Sequence, residues 1–253
     1  DFVYYLFINE RNNLIGLANG TIFKNLKTDI VRNHQVTLPP KTEQEVISKI
    51  LSVIDTKIEL NQRINCALEA VGAALFRRWF VDFEFPNENG EPYKSSGGEM
   101  EESELGEIPK GWRVVELCEV TLNITDGTHS TVIDDENGEY YLLSCKNIKK
   151  GQILISNSER RINISTLKQL RKRTSLSKGD ILLTTVGTIG EVALVRDENP
   201  SYELQRSVAI IKPNEKKVTS EFLYQAIKYP TFIERAILRS EGSVQKCLFL
   251  GAI

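Results

Sequence analysis

The densest chemistry-bearing stretch lies in the second half of the sequence. From Lys146 to Lys178, ten basic side chains (Lys146, Lys149, Lys150, Arg160, Arg161, Lys168, Arg171, Lys172, Arg173 and Lys178) face one acid, Glu159. Cations at this density suit phosphate oxygens, which a nucleic-acid duplex presents as a regular array. LRKR at 170–173 is the tightest group, and its spacing makes a local cluster in helix or loop alike. Amide, guanidinium and hydroxyl groups suited to base edges stand at strand ends or turns: Asn147, Thr184, Thr185, Gln205, Arg206 and Ser207. Ser243, Gln245 and Lys246 lie in a Gly-Ser phrase after a helical pattern, where backbone amides can hold a phosphate. Thr21 and Lys24 are their counterparts near the start, serving the same end or merely closing the fold. The plainer reading of the basic stretch is a solvated surface.

Catalytic chemistry is easier to exclude than to place. GTIG at 187–190 lacks the Lys-Ser/Thr of a phosphate loop and sits between two strand patterns, so it reads as a hairpin turn. The chain has no Asn/Asp-Pro-Pro-aromatic motif of an amino-methyltransferase, no glycine-rich cofactor loop, and no carboxylate–lysine set of a nuclease. Asp180, beside a tight turn, is most simply a backbone cap. Asp126 and His129 stand three apart in a Gly-containing turn; a loop clasp explains them better than an acid–base pair or metal site, since no third ligand or nucleophile accompanies them. Four cysteines (66, 118, 145, 247) without ligand spacing and two histidines argue against structural zinc and a disulfide scaffold, and favour a reducing cytosol. No catalytic residue, metal or cofactor is expected.

These groups need elements to position them, and 253 residues, 41% hydrophobic and 26% charged, suffice for one large domain or two smaller ones. A net charge of −2 predicts no nucleic-acid partner by itself, but field follows distribution: from Asp82 to Glu107 nine acids face Lys94 alone. Apolar runs are too short for a membrane span, and the start has no basic n-region of a signal peptide. Beginning on Asp1, the chain reads as part of a longer polypeptide. DFVYYLFINERNNLI suits a helix, followed by a turn from Gly16 to Gly20 and a short segment ending at Val31. Gln35–Leu38 reads as a short strand stopped by Pro39 and Pro40, and Thr42 with Glu45 as a capping box.

The helix that follows is the firmest expectation. No proline interrupts it until Pro86, and Ile47, Leu51, Ile54, Ile58, Asn61, Asn65, Leu68, Gly72, Leu75 and Trp79 recur in steps of four and three. Such a stripe faces a partner helix over about five heptads, roughly 55–60 Å. Asn61 and Asn65 would fix register, and Gly72 would permit close approach; a helix broken near Gly72 is the competing picture. The expected organisation is 1–40 as the end of one domain, 41–83 as a spacer helix, 84–107 as a loose polar linker, and 108–253 as a second domain. That domain contains strand patterns at 139–148, 151–155, 179–187, 189–196 and 206–213, then helical patterns at 220–230, capped by Ser220, and 231–239. WRVVELCEV reads as a strand running into a short helix or turn, with Trp112 as a core anchor. The fold class is a mixed, strand-rich α/β domain plus a long coiled-coil-forming α-helix.

The two ends also resemble each other. DFVYYLFI at 1–8 matches EFLYQAIK at 221–228, and LANGTIFKNLKTDIV at 17–31 matches RSEGSVQKCLFLGAI at 239–253. A helix, a turn and one phrase recur in the same order, so residues 1–31 read as the end of a first copy of the 108–253 domain.

This arrangement resembles the specificity subunit of Type I restriction–modification enzymes. VTLPPKTEQEVISKILSVIDTKIELNQRINCALEAVGAALFRRWF is similar to that family's exit from a recognition domain into its long helix, and IPKGWRVVELCEV to the start of the next domain. TDGTH (125–129), LLSCKNIKKGQI (142–153), LSKGDILLTTVGTIGEVALV (176–195) and EGSVQKCL (241–248) resemble internal landmarks. One departure is STVIDDENGEYY, which carries four acids where the family often has a proline-containing loop; this weakens any assignment of His129's neighbourhood to DNA. Another is extent: the chain resembles a central fragment. The resemblance implies sequence-specific binding of double-stranded DNA, each recognition domain reading half of a split target while paired long helices set the spacing. It implies no catalysis in this chain, a cytoplasmic location, and methyltransferase and restriction/motor subunits as partners, with the other half of the subunit or another copy across the long helix. A helical assembly module without DNA affinity is the rival reading, and a hydrolase using Asp126 and His129 a weaker third.

Overall fold

The computed structural model describes residues 1–18, 25–240 and 247–252, and divides into two units, 1–77 and 78–253. In the first, α1 (Phe2–Asn9) and α2 (Arg11–Leu17) follow each other with a break at Glu10, then come α3 (Thr28–Arg32) and α4 (Lys41–Phe80). Gly16 lies inside α2 and not in a turn. Residues 35–38 form no strand, and two prolines directly after them leave no donors to extend a ladder. The repeated phrases at 19–24 and 241–246 lie outside the described residues.

Helix α4 is a single element of 40 residues, about 60 Å long. Gly72 does not interrupt it. Its start differs in detail from expectation: the helix begins at Lys41, so Thr42 sits in the first turn rather than at the cap, and the Gln44 amide instead donates to the Pro39 carbonyl at 2.9 Å. No residue of α4 is buried, and Ile54, Ile58 and Leu68 are about half exposed or more (51%, 50% and 64%). Tyr5 of α1 donates its hydroxyl to Asp55 at 2.8 Å, and Glu10 meets His34 at 3.1 Å, tying the short helices to the long one and to each other.

The second unit opens where a loose linker was expected, and that expectation fails. Asn87 closes a turn by accepting from the amides of Asn89 and Glu91, Glu84 accepts from Ser95, and β1 (Met100–Ser103) pairs antiparallel with β2 (Gly106–Pro109). Phe85 is stacked between Tyr93 and Trp112, with centroids at 4.7 and 5.3 Å, and Phe80 and Phe83 approach the same indole at 5.9 and 5.7 Å. Trp112 is therefore a half-exposed ring clasp and not a core anchor. No strand forms at 112–116; the chain runs into α5 (Leu117–Val120) and then β3 (Thr121–Asp126).

The remaining elements are β4 (Tyr140–Leu143), a 3-10 turn at Cys145–Asn147, β5 (Ile148–Lys149), β6 (Gln152–Ile153), β7 (Arg161–Ile162), α6 (Ile164–Thr174), β8 (Ile181–Thr184), β9 (Val192–Leu194), β10 (Tyr202–Leu204), β11 (Val208–Pro213), α7 (Ser220–Lys228) and α8 (Pro230–Leu238). The main sheet, ordered β3-β11-β8-β9, is antiparallel throughout; a smaller sheet is ordered β10-β4-β7. Successive strand residues alternate faces. Ile181, Leu183, Val192, Leu194, Ala209 and Ile211 pack with Leu223, Tyr224 and Ile227 of α7, while Leu182, Ala193, Val208 and Ile210 face Leu143, Tyr202 and Leu204. Both faces being covered, these strands read as continuous apolar runs. Gly187 and Gly190, at φ of 79° and 98°, shape the expected hairpin between β8 and β9. Thr219, not Ser220, caps α7: its side chain accepts from the Phe222 amide, whereas the Ser220 hydroxyl donates to Glu215.

Candidate nucleic-acid interface

The structure sorts the ten clustered cations into two groups. Arg171 is taken up by the fold: it binds Glu203, which is fully buried, and donates to the Pro200 and Tyr202 carbonyls at 3.0 and 2.8 Å. Burial pushes the Glu203 carboxyl above its usual range, and Arg171 and the Thr174 hydroxyl act against that shift. Arg173 binds Asp126, Arg160 binds Asp134 at 2.7 Å and the Val132 carbonyl, Lys146 meets Glu159 at 2.8 Å, and Lys178 meets Glu198 at 2.5 Å. Lys146 holds the Glu159 carboxyl below its usual range. Arg161 lies over the Tyr141 ring at 5.7 Å. Lys149, Lys150, Lys168 and Lys172 are exposed and form no ion pair among the described residues.

Local geometry presents these four lysines. Lys150 and Gly151, both at positive φ (50° and 79°), make the two-residue turn of the β5–β6 hairpin, which puts Lys149 and Lys150 at its tip. Helix α6 is capped by Asn163, whose side chain accepts from the Thr166 amide at 3.0 Å; Leu167 and Thr174 face inward. Lys168 and Lys172, four apart, share its outer face. The LRKR group occupies the last turn of α6, where cations also suit the helix dipole.

Several expected base readers are structural instead. Asn147 is buried, accepting from the Ser144 amide and donating to the Leu154 carbonyl, each at 2.9 Å. Thr184 is fully buried, with its hydroxyl bound to the Thr188 carbonyl and the Glu191 amide, and Thr185 is buried beside it. The Ser207 hydroxyl accepts from the Cys145 amide at 3.0 Å. Asn147 and Thr184 are withdrawn from the reading set because their polar groups are already bound, Thr185 because it is buried, and Ser207 because its oxygen is held by the Cys145 amide. Gln205 and Arg206 remain. Ser243, Gln245 and Lys246, with Thr21 and Lys24, lie outside the described residues.

Gln205 and Arg206 line a polar cleft of about 280 Å³ with Thr128, His129, Ser130, Thr131 and Arg160. The hydroxyls of this loop were not singled out from sequence, although TDGTH marked the place. The two walls are joined by backbone: the Thr128 amide donates to the Leu204 carbonyl at 2.8 Å and the Arg206 amide to the Thr128 carbonyl at 3.1 Å. Gly127 permits this approach, because a Cβ there would overlap the Leu204 carbonyl. Gly127→Ala is expected to lower stability by about 2 kcal/mol or more, measured by urea melting; a change within about 0.5 kcal/mol would show that the walls can part. Asp126 accepts from Arg173 and meets His129 at 2.6 Å, which makes the loop clasp. Among the described residues no cluster of His, Cys, Asp or Glu could hold a metal, and no helix is long and apolar enough to cross a membrane.

The arrangement offers exposed ammonium groups of the kind that suit phosphates and, in the cleft, amide, guanidinium and hydroxyl groups of the kind that suit base edges. The chain is 30% identical over 155 residues to the Type I restriction enzyme MjaIX specificity subunit of Methanocaldococcus jannaschii, covering 60% of this chain and 34% of that protein. It is 24% identical over 288 aligned residues to the HindI specificity subunit of Haemophilus influenzae, covering 91% and 61%. It thus spans between about a third and three fifths of the length of these relatives. The crystal structure of the Type I restriction–modification S subunit from M. genitalium superposes over 99% of this chain and 62% of that one at 18% identity, with a TM-score of 0.47. The model of the Type I restriction modification DNA specificity domain matches residues 1–70 and 109–249, most of the sequence and most of the unit that holds the cleft, and so the chain belongs to that family.

Proposed function

We propose that this chain is the DNA-recognition component of a Type I restriction–modification complex, with unit 78–253 reading one half of a bipartite duplex target. The observation that carries this reading is the polar cleft of Gln205, Arg206 and the 128–131 loop, set in a unit that also exposes Lys149, Lys150, Lys168 and Lys172, none of them in an ion pair among the described residues. Helix α4 supplies the spacer: no residue of its apolar stripe is buried, and pairing with a second long helix, from another copy or from the other half of the subunit, would bury it and set the distance between half-sites. Adenine methylation and ATP-driven cleavage fall to separate modification and restriction subunits, and this chain contributes no catalytic residue. Family membership favours this reading over an assembly module without DNA affinity.

The lysines of α6 give the test. Lys168→Ala with Lys172→Ala is expected to weaken binding to all duplexes alike, and to flatten the dependence of log affinity on log salt by about one unit per lysine lost. The measurement is a titration series by fluorescence anisotropy across salt concentrations. An unchanged slope would remove α6 from the phosphate contact, and no affinity of the parent chain at low salt would overturn the reading as a whole.

A further inference from the structure

A group that reads a base edge has to be held rigidly while its own donors stay free. The turn between β10 and β11 meets both conditions. Residues 205–208 form a β-turn in which the Val208 amide donates to the Gln205 carbonyl at 3.1 Å. Three other segments fix it: the Gln205 amide donates to the Leu143 carbonyl (2.8 Å), the Arg206 amide to the Thr128 carbonyl (3.1 Å), and the Thr185 amide to the Ser207 carbonyl (2.9 Å). The Ser207 hydroxyl is held as well, by the Cys145 amide. Arg206 stands at the tip, exposed and without a carboxylate partner among the described residues, and no acid lines the cleft beside it.

Charge alone does not require such a mounting. A phosphate is served by the exposed lysines on α6 and the β5–β6 turn, whose ammonium groups act as point charges, whereas a planar guanidinium on a fixed backbone, with an amide and hydroxyls adjacent, matches the fixed acceptor pair O6 and N7 of guanine in the major groove. We infer, resting on the DNA-recognition reading above, that Arg206 reads a guanine within the half-site bound by this unit, with the Gln205 amide available to the neighbouring base.

The test is selection of bound duplexes from a randomised pool by the 253-residue chain, as parent, Arg206→Ala and Arg206→Gln. The parent is expected to fix guanine at one position. Arg206→Ala should release that position alone and weaken binding to the parent motif by about 10- to 100-fold, and Arg206→Gln should move the preference toward adenine. Urea melting should be unchanged, since the guanidinium has no partner among the described residues. Uniform weakening with the motif intact would make Arg206 a phosphate contact and overturn the inference, as would an unaltered motif and affinity. If the parent enriches no sequence, the DNA-recognition reading itself fails and this inference with it.

Discussion

Arg171→Ala is expected to lower the stability of unit 78–253 by about 3–5 kcal/mol, while Lys172→Ala, its neighbour in sequence, changes it by less than about 0.5 kcal/mol. The two side chains look alike in the basic run but do different work. Glu203 is 0% exposed, and its carboxylate is held by Arg171 and by the Thr174 hydroxyl, which reaches both oxygens at 3.0 Å, with the Leu204 backbone adding a further bond. Removing the guanidinium leaves a charge in a place that burial already disfavours, and also frees the Pro200 and Tyr202 carbonyls. A protein's whole stability is about 5–15 kcal/mol, so this single change takes a large share of it. The loss arises from the stranded carboxylate more than from the value of the pair itself. Replacing both partners, Arg171→Leu with Glu203→Leu, should therefore cost less than Arg171→Ala alone. Urea melting of the four proteins decides the matter: an Arg171→Ala curve overlying the parent would mean that the guanidinium is a surface cation after all, free to meet phosphate.

The same pair explains what the sequence leaves hidden. Counting charges along 146–178 finds one acid, yet Arg160, Arg171, Arg173 and Lys178 are neutralised by Asp134, Glu203, Asp126 and Glu198, all outside that window. A charge run describes a surface only when its partners are local, and here the sheet brings them in from a distance. Strands β8 and β11 were legible because both of their faces are buried, which leaves unbroken apolar runs bounded by glycine or proline. Strand β3 was not: among the described residues it pairs only with β11, and its alternation is interrupted, Leu122 being 71% exposed. Strands β7 and β10 are two and three residues long, too short for any period to show. Helix α4 was legible throughout, since ten stripe positions at heptad spacing outweigh any local ambiguity. Gln205 and Arg206 could be picked as polar residues before a strand, but their fitness as readers depends on a turn fixed by Thr128, Leu143, Thr185 and Cys145, and no local pattern encodes that convergence.

The largest effect on assembly is expected in α4. Ile54→Asp with Ile58→Asp should weaken pairing of the chain through its long helix by about a hundredfold or more. These side chains are 51% and 50% exposed and adjacent on the stripe. Burying each against a partner helix is worth about 1.5–3 kcal/mol, and two together convert to roughly 10²–10⁴ in association constant before the cost of desolvating the new carboxylates is added. The cost to the helix itself is small, about 0.5 kcal/mol per aspartate at an exposed interior position, so helicity by circular dichroism should survive while the assembly does not. Asn61 and Asn65 supply the complementary variant. Polar groups in a helix seam trade stability for register, so Asn61→Leu with Asn65→Leu should tighten association and allow the helices to slip. In the proposed function slippage has a DNA readout, because the helix pair sets the distance between half-sites: the variant should tolerate spacers of altered length that the parent rejects. Sedimentation equilibrium of parent and variants measures the first effect, and binding to duplexes with the spacer lengthened or shortened by one base pair measures the second. A parent chain that stays monomeric at high concentration, or an aspartate variant that associates as the parent does, would show that the stripe on α4 is not a pairing face.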